Sequence, residues 1–126
     1  MKYLLVFVFI VIPCSGQSEK LLAAIRQVES GGNDKAVGDG GKAIGPYQIH
    51  RVYWQDAVHF DKRLGGSYED CYDPEYAKKV VRAYMKRYAP KDASDETYAR
   101  IHNGGPRGAT IKATKPYWAK VRKAMK

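Results

Sequence analysis

Cysteine is almost missing from this chain of 126 residues, which holds only Cys14 and Cys71. Small exported domains often rely on disulfides. Here Cys14 falls in a segment expected to be removed, so no intrachain disulfide is expected. Burial alone must hold the fold. Two readings of Cys71 stay open: a small buried apolar side chain, or a thiol that pairs between molecules.

Long apolar runs are scarce too. The one run, from Tyr3 to Ile12, is shorter than the ~20 residues that cross a bilayer. No membrane span is therefore expected. Lys2 precedes the run, and Cys14-Ser-Gly16 offers small residues for a cut. Residues 1–16 thus read as an export signal. Residues 17–126, about 110 in number, are then one secreted domain, expected to be a monomer and large enough for its own core. An uncleaved anchor or a buried strand is the alternative for the first segment.

Acidic residues are few, 13 against 22 Lys and Arg, for a net charge of +9 that becomes about +8 once Lys2 is removed. Such a charge favours acidic polymers. Nucleic acid is not the expected partner, because no helix-turn-helix, zinc finger or basic aromatic-rich sheet is readable. Nor is a metal site expected. His50, His59 and His102 stand at ligand spacing with no cysteine or acid pair. No phosphate-cradling glycine loop follows a strand, and no cofactor is implied.

What is present is a series of amphipathic segments. Ser18 can cap a helix from Glu19 to about Glu29, with Leu21, Leu22, Ile25 and Val28 on one face. Residues 33–44 read as a hairpin, with Ala36-Val37 and Ala43-Ile44 as strands and Gly38-Asp-Gly-Gly41 as the turn. Pro46 is expected to open a helix to about Phe60. Asp73 and Pro74 start a third helix, whose stripe from Tyr76 to Tyr88 marks it as the central one. Ser94 caps a helix ending at Asn103, and Lys115 to Met125 forms the last. The fold class is therefore α+β, with about five helices and a small hairpin.

Two carboxylates stand out. Glu29 ends the first helix just before Ser30-Gly-Gly32. Asp39 lies on the polar glycine-rich turn. Cleavage of a glycosidic bond needs a proton donor in a partly desolvated place and a second, solvated carboxylate. Glu29 suits the first role and Asp39 the second. The plainer alternatives are a Glu29 paired with Arg26 and an Asp39 that only makes a turn. Tyr47, Gln48, Tyr53 and Trp54 are candidate sugar-binding residues, since rings offer flat apolar faces and an amide bonds both ways. Tyr53 and Trp54 equally suit a core. His102 and Asn103 sit beside a Gly-Gly-Pro turn, where backbone can approach a ligand; a structural His and a capping Asn are the alternatives.

The blocks Glu29-Ser-Gly-Gly-Asn33, Gly45-Pro-Tyr-Gln-Ile49, Tyr53-Trp54, Tyr84-Met-Lys-Arg-Tyr88, Arg100-Ile-His-Asn-Gly-Gly-Pro106 and Tyr117-Trp118 together resemble the invertebrate-type (destabilase-like) lysozymes. The likeness covers nearly all of the chain after residue 20. It departs from them in its poverty of cysteine. The resemblance implies a lysozyme-like fold and a secreted muramidase acting on bacterial cell-wall peptidoglycan, at the β-1,4 bond between N-acetylmuramic acid and N-acetylglucosamine. It implies Glu29 as acid and Asp39 as partner carboxylate. Relatives carry that aspartate one residue further from the Gly-x-x-Gln-Ile block, which keeps Asp34 as a second candidate. The His102-Asn103 block is implied to face the carboxylates across the cleft. Three other functions stay open: a lytic transglycosylase using Glu29 alone, an isopeptidase with Ser30 as nucleophile, and a basic wall-binding or membrane-disrupting protein without catalysis.

Overall fold

The computed structural model describes residue 6 and residues 16–126. Most of the expected signal over residues 1–16, with Cys14, lies outside the described residues. Among them, no helix is long and apolar enough to cross a membrane.

Helix α1 (Glu19–Ser30) begins where Ser18 Oγ accepts the Leu21 N–H at 3.0 Å. A cap of this kind contributes about 1 kcal/mol. Leu21, Leu22 and Ile25 are fully buried, and each such side chain stabilises by about 1.5–3 kcal/mol. The helix stops at Gly31, whose left-handed backbone (φ 63°) suits glycine. This stop leaves Glu29 in the last turn.

Three two-residue strands follow: β1 (Val37–Gly38), β2 (Ala43–Ile44) and β3 (Ile49–His50). They form an antiparallel sheet in the order β1-β2-β3, with Val37 opposite Ile44 and Ile44 opposite Ile49. The expected hairpin is present, and a short helical turn at Asp39–Gly41 joins its strands. The helix expected from Pro46 is not. Gly45 and Gln48 have left-handed backbones (φ 78° and 53°), which no right-handed helix admits. The Gln48 N–H closes a tight turn on the Gly45 carbonyl at 3.1 Å, and the chain returns as β3. Helix α2 (Arg51–Phe60) starts only after it. A Cβ at position 45 would lie 2.1 Å from the Cys71 carbonyl oxygen, so two backbones meet there and only glycine fits.

Helix α3 (Pro74–Tyr88) starts on Asp73, whose Oδ1 accepts the N–H groups of Glu75 and Tyr76 at 2.8 and 3.1 Å. It buries Ala77, Val80, Val81, Tyr84 and Met85 and packs on α2. Helices α4 (Asp95–Gly104) and α5 (Lys115–Ala124) complete the fold. The central helix is α4, not α3: it meets α1, α3 and α5. Tyr98, Ala99, Arg100, Ile101 and His102 are all buried there. Each nitrogen of the Arg100 guanidinium donates one bond, to Thr114 Oγ1, Glu96 Oε2 and the Ile111 carbonyl at 2.8–2.9 Å. One α+β core runs through all five helices. Cys71 lies in it with no exposed surface, and burial pushes its thiol up to about 12. Such a thiol is inert, which favours packing over pairing between molecules.

Candidate functional site

The last turn of α1, the sheet, the first turn of α2 and the end of α4 enclose a cleft of about 300 Å³. Its walls are Glu29, Asp39, Ala43, Gln48, His50, Tyr53, His102 and Asn103. Six of the eight residues singled out from sequence thus meet around one opening. Tyr47 and Trp54 do not. The Tyr47 ring is only 2% exposed and belongs to the core. The Trp54 indole N–H donates to Tyr76 Oη at 2.8 Å, away from the cleft. Rings suit sugars, but ring type does not say which way a side chain points.

Glu29 is largely enclosed, with 20% of its side chain exposed. Its Oε2 accepts two hydrogen bonds. One comes from Tyr117 Oη at 3.1 Å and one from His102 Nε2 at 3.0 Å. The Tyr117 phenol is pushed well above its ordinary range, first by burial and then by the neighbouring Glu29. It therefore stays protonated and donates. The tautomer of His102 follows from its own partners. Its Nδ1 faces Tyr53 Oη at 2.8 Å, and burial holds that phenol protonated too. Tyr53 donates, so Nδ1 accepts. The proton then sits on Nε2, which also lies 3.2 Å from the Tyr47 carbonyl, an acceptor only. A fixed relay thus runs Tyr53 to His102 to Glu29. Among the described residues, Glu29 Oε1 has no hydrogen-bond partner, which leaves it available to the cleft.

Asp39 is built differently. Its side chain is 65% exposed and sits 3.1 Å from His50 Nε2. Its backbone is left-handed (φ 51°), like that of Gln48. Strained backbone in non-glycine residues gathers at functional sites, and two of the three described cases are here. The Gln48 amide is anchored, donating to the Ala36 and Gly45 carbonyls at 3.2 and 3.0 Å. His50 and Tyr117 were not named as site residues from sequence. His50 reaches Asp39 only because β3 pairs with β2, an arrangement hidden by the expected helix. Tyr117 belongs to the Tyr117-Trp118 block of the resemblance, but that block implies no role for it at the site.

Two alternatives drawn from sequence meet different geometry. Arg26 pairs with Asp34 at 2.7 Å, not with Glu29; Asp34 is thereby held outside the cleft. The Ser30 hydroxyl is turned to the Pro46 and Arg26 carbonyls at 2.8 and 3.1 Å, and no described His or Lys side chain bonds to it.

The destabilase family model matches residues 18–124. The chain belongs to the destabilase, or invertebrate-type lysozyme, family. A lysozyme of Ostrea edulis is 44% identical over 84 residues, 64% of this chain and 58% of that protein. The chain thus spans under two thirds of that relative's length. An invertebrate-type lysozyme of Ruditapes philippinarum is 35% identical over 114 residues, 84% of this chain and 80% of the relative. The crystal structure of Tapes japonica lysozyme superposes with a TM-score of 0.72 at 34% identity, covering 84% of this chain and 89% of that one. The α+β fold is therefore the lysozyme-like one that the motifs imply.

Proposed function

We propose that the chain is a secreted muramidase that hydrolyses the β-1,4 bond between N-acetylmuramic acid and N-acetylglucosamine in peptidoglycan. Glu29 is the general acid and Asp39 the partner carboxylate. The observation that carries this reading is the unequal setting of two carboxylates on one cleft. Glu29 is enclosed and tied through one oxygen, while Asp39 is solvated and polar.

In the reaction, Glu29 Oε1 delivers its proton to the glycosidic oxygen as the bond to the anomeric carbon breaks. Negative charge then spreads onto Oε2. Tyr117 and His102 already point their hydrogens at that oxygen, so no reorganisation is needed as charge forms. Asp39 supplies negative charge to the cation developing at the anomeric carbon. Water completes the cycle: its hydroxyl goes to the sugar and its proton returns to Glu29. Gln48, Tyr53, His102 and Asn103 line the sugar site. The lysozyme names of the relatives support the same activity, and the leader-like residues 1–16 support export.

A lytic transglycosylase needs Glu29 but no aspartate. Asp39 on the cleft wall favours hydrolysis. An isopeptidase would need a base beside Ser30, whose hydroxyl is bonded to backbone carbonyls.

The test pairs two substitutions with product analysis. Glu29→Gln keeps the shape and removes the proton; wall lysis is expected to fall by ~100- to 10,000-fold with the fold intact. Asp39→Asn is expected to lower turnover strongly, and far more than Asp34→Asn. Mass spectrometry of wall fragments should find reducing muramic acid ends. Ends in the 1,6-anhydro form, with Asp39→Asn nearly silent, would replace the hydrolase with a transglycosylase.

A further inference from the structure

A second concavity, of about 1090 Å³, lies between the end of α2, one face of α3 and the connection from α3 to α4. It shares no lining residue with the cleft. Its α3 wall repeats at helical spacing: Lys79, Ala83 and Lys86. The small side chain of Ala83 leaves a depression between the two lysines. Lys91, from the connection after α3, adds a third ammonium group. Phe60, 43% exposed, supplies an apolar edge.

The charges here are of two kinds. Arg63 is held by Asp61 at 2.9 Å and Arg82 by Glu19 at 2.6 Å. Among the described residues, Lys79, Lys86 and Lys91 form no ion pair. Asp92 is the one acid of the lining that pairs with no cation. Three unpaired ammonium groups against one unpaired carboxylate leave the concavity net positive. A low-dielectric groove also focuses their field on whatever enters it. The space is far too large for one small anion, so the charges suit an extended one.

We infer that this groove binds a linear polymer of phosphodiester-linked polyol or sugar units. Lysine binds phosphate as a point charge, and three such points suit charges that recur along a chain. The exposed Phe60 ring suits a polyol or sugar edge, while the other two rings of the lining, Tyr76 and Tyr98, are half-buried and buried. A nucleic-acid channel would instead present aromatic platforms for successive bases. The inference is independent of the muramidase reading, because it concerns binding and not bond cleavage.

The experiment measures binding of poly(glycerol phosphate) to the purified protein over a salt series. Two variants with the same change in net charge are compared. Lys79→Glu/Lys86→Glu/Lys91→Glu alters the groove; Lys112→Glu/Lys120→Glu/Lys123→Glu alters exposed lysines elsewhere. The groove variant is expected to lose affinity by about 100-fold and to flatten the salt slope by about three, one per lysine. The control is expected to keep both within about threefold of the parent. Hydrolysis of a short uncharged oligosaccharide should be unchanged in both. If the glutamate variant does not fold, the corresponding Lys→Gln triple takes its place. Equal losses in groove and control variants would overturn the site in favour of net charge. Equal affinity for polyglutamate of the same charge would overturn the phosphodiester preference. Tighter binding of a single-stranded oligonucleotide would overturn the polymer class.

Discussion

The two carboxylates of the cleft differ in what their neighbours do to them, and His102 is the residue that makes the difference at Glu29. Its ring is almost fully enclosed, with 2% of its side chain exposed. Tyr53 fixes its tautomer, and Nε2–H then has one direction to point. His102→Phe keeps a ring in the space and removes the donor. A hydrogen bond to a charged group contributes about 1.5–3 kcal/mol, so kcat should fall about 10- to 100-fold. KM should change little, because with Glu29 as the proposed acid the donor meets charge that forms only as the proton leaves. Tyr53→Phe should show a smaller loss, since it releases the tautomer without removing the ring. A steady-state split of kcat and KM on a soluble oligosaccharide checks both. A rise in KM with kcat intact would make His102 a sugar contact instead. At this scale the motifs point to Glu29, Asp39 and the His102-Asn103 block, and all four residues line one cleft. The sequence could not show that His102 aims at Glu29, because 73 residues separate them and only the docking of α4 on α1 joins them. Tyr47 is the opposite case: its ring suits a ligand face by type, yet it is buried and meets the site only through its carbonyl.

Elements were legible where caps and apolar spacing agreed. Ser18, Asp73 and Ser94 each start a helix in the structure. The misreading fell at Pro46. Proline opens many helices, but the residue before it decided the matter here. Gly45 takes a left-handed backbone against the Cys71 carbonyl, and the chain must turn and pair. That contact is long-range and leaves no local periodicity. The rank of α4 was hidden for a related reason: its buried Arg100 and His102 look like surface residues in a sequence. The turn at Gly45 gives a direct test. Gly45→Ala adds a methyl group 2.1 Å from a carbonyl oxygen in a backbone unsuited to it. Left-handed backbone costs an L-residue about 1–2 kcal/mol, and overpacking adds about 1–3 kcal/mol. Gly31 is also left-handed (φ 63°, ψ 21°), yet a Cβ there meets nothing within 4 Å. Gly31→Ala should therefore lose only the first contribution. Chemical denaturation of both variants checks the order. Equal losses would mean that β3 can shift away from Cys71, and then Gln48 and His50 would leave the cleft with it.

The whole molecule depends on a core rich in buried hydroxyls and one thiol, with no described disulfide to back it. This predicts a sharp alkaline limit. Burial pushes the phenols of Tyr53, Tyr84 and Tyr117 up, Tyr84 to about 12, and the Cys71 thiol to about 12. Each group is neutral in the folded state at a pH where the unfolded chain has begun to ionise. The sign follows from proton counting. Above its ordinary pKa, ~8.5 for cysteine and ~10 for tyrosine, the unfolded chain holds fewer protons than the folded one. Stability then falls with rising pH, by about 1.4 kcal/mol per pH unit for each such group. It is fully present below those values and is lost as pH rises through the folded-state ones. One group acts from ~8.5 and the tyrosines join from ~10, so the melting temperature should decline gently and then steeply. Cys71→Ala separates the two phases: its gentle phase should vanish while the steep one remains. Added thiol reductant should change neither curve, since Cys71 is buried. The check is a set of thermal melts across this range, with tyrosinate absorbance followed in parallel. In the folded protein the tyrosinate signal of the buried rings should lag and then appear together with unfolding. If it appears near the ordinary tyrosine pKa with the fold intact, the phenols around His102 are open to water. The relay from Tyr53 to Glu29 would then lack the fixed donor on which it depends.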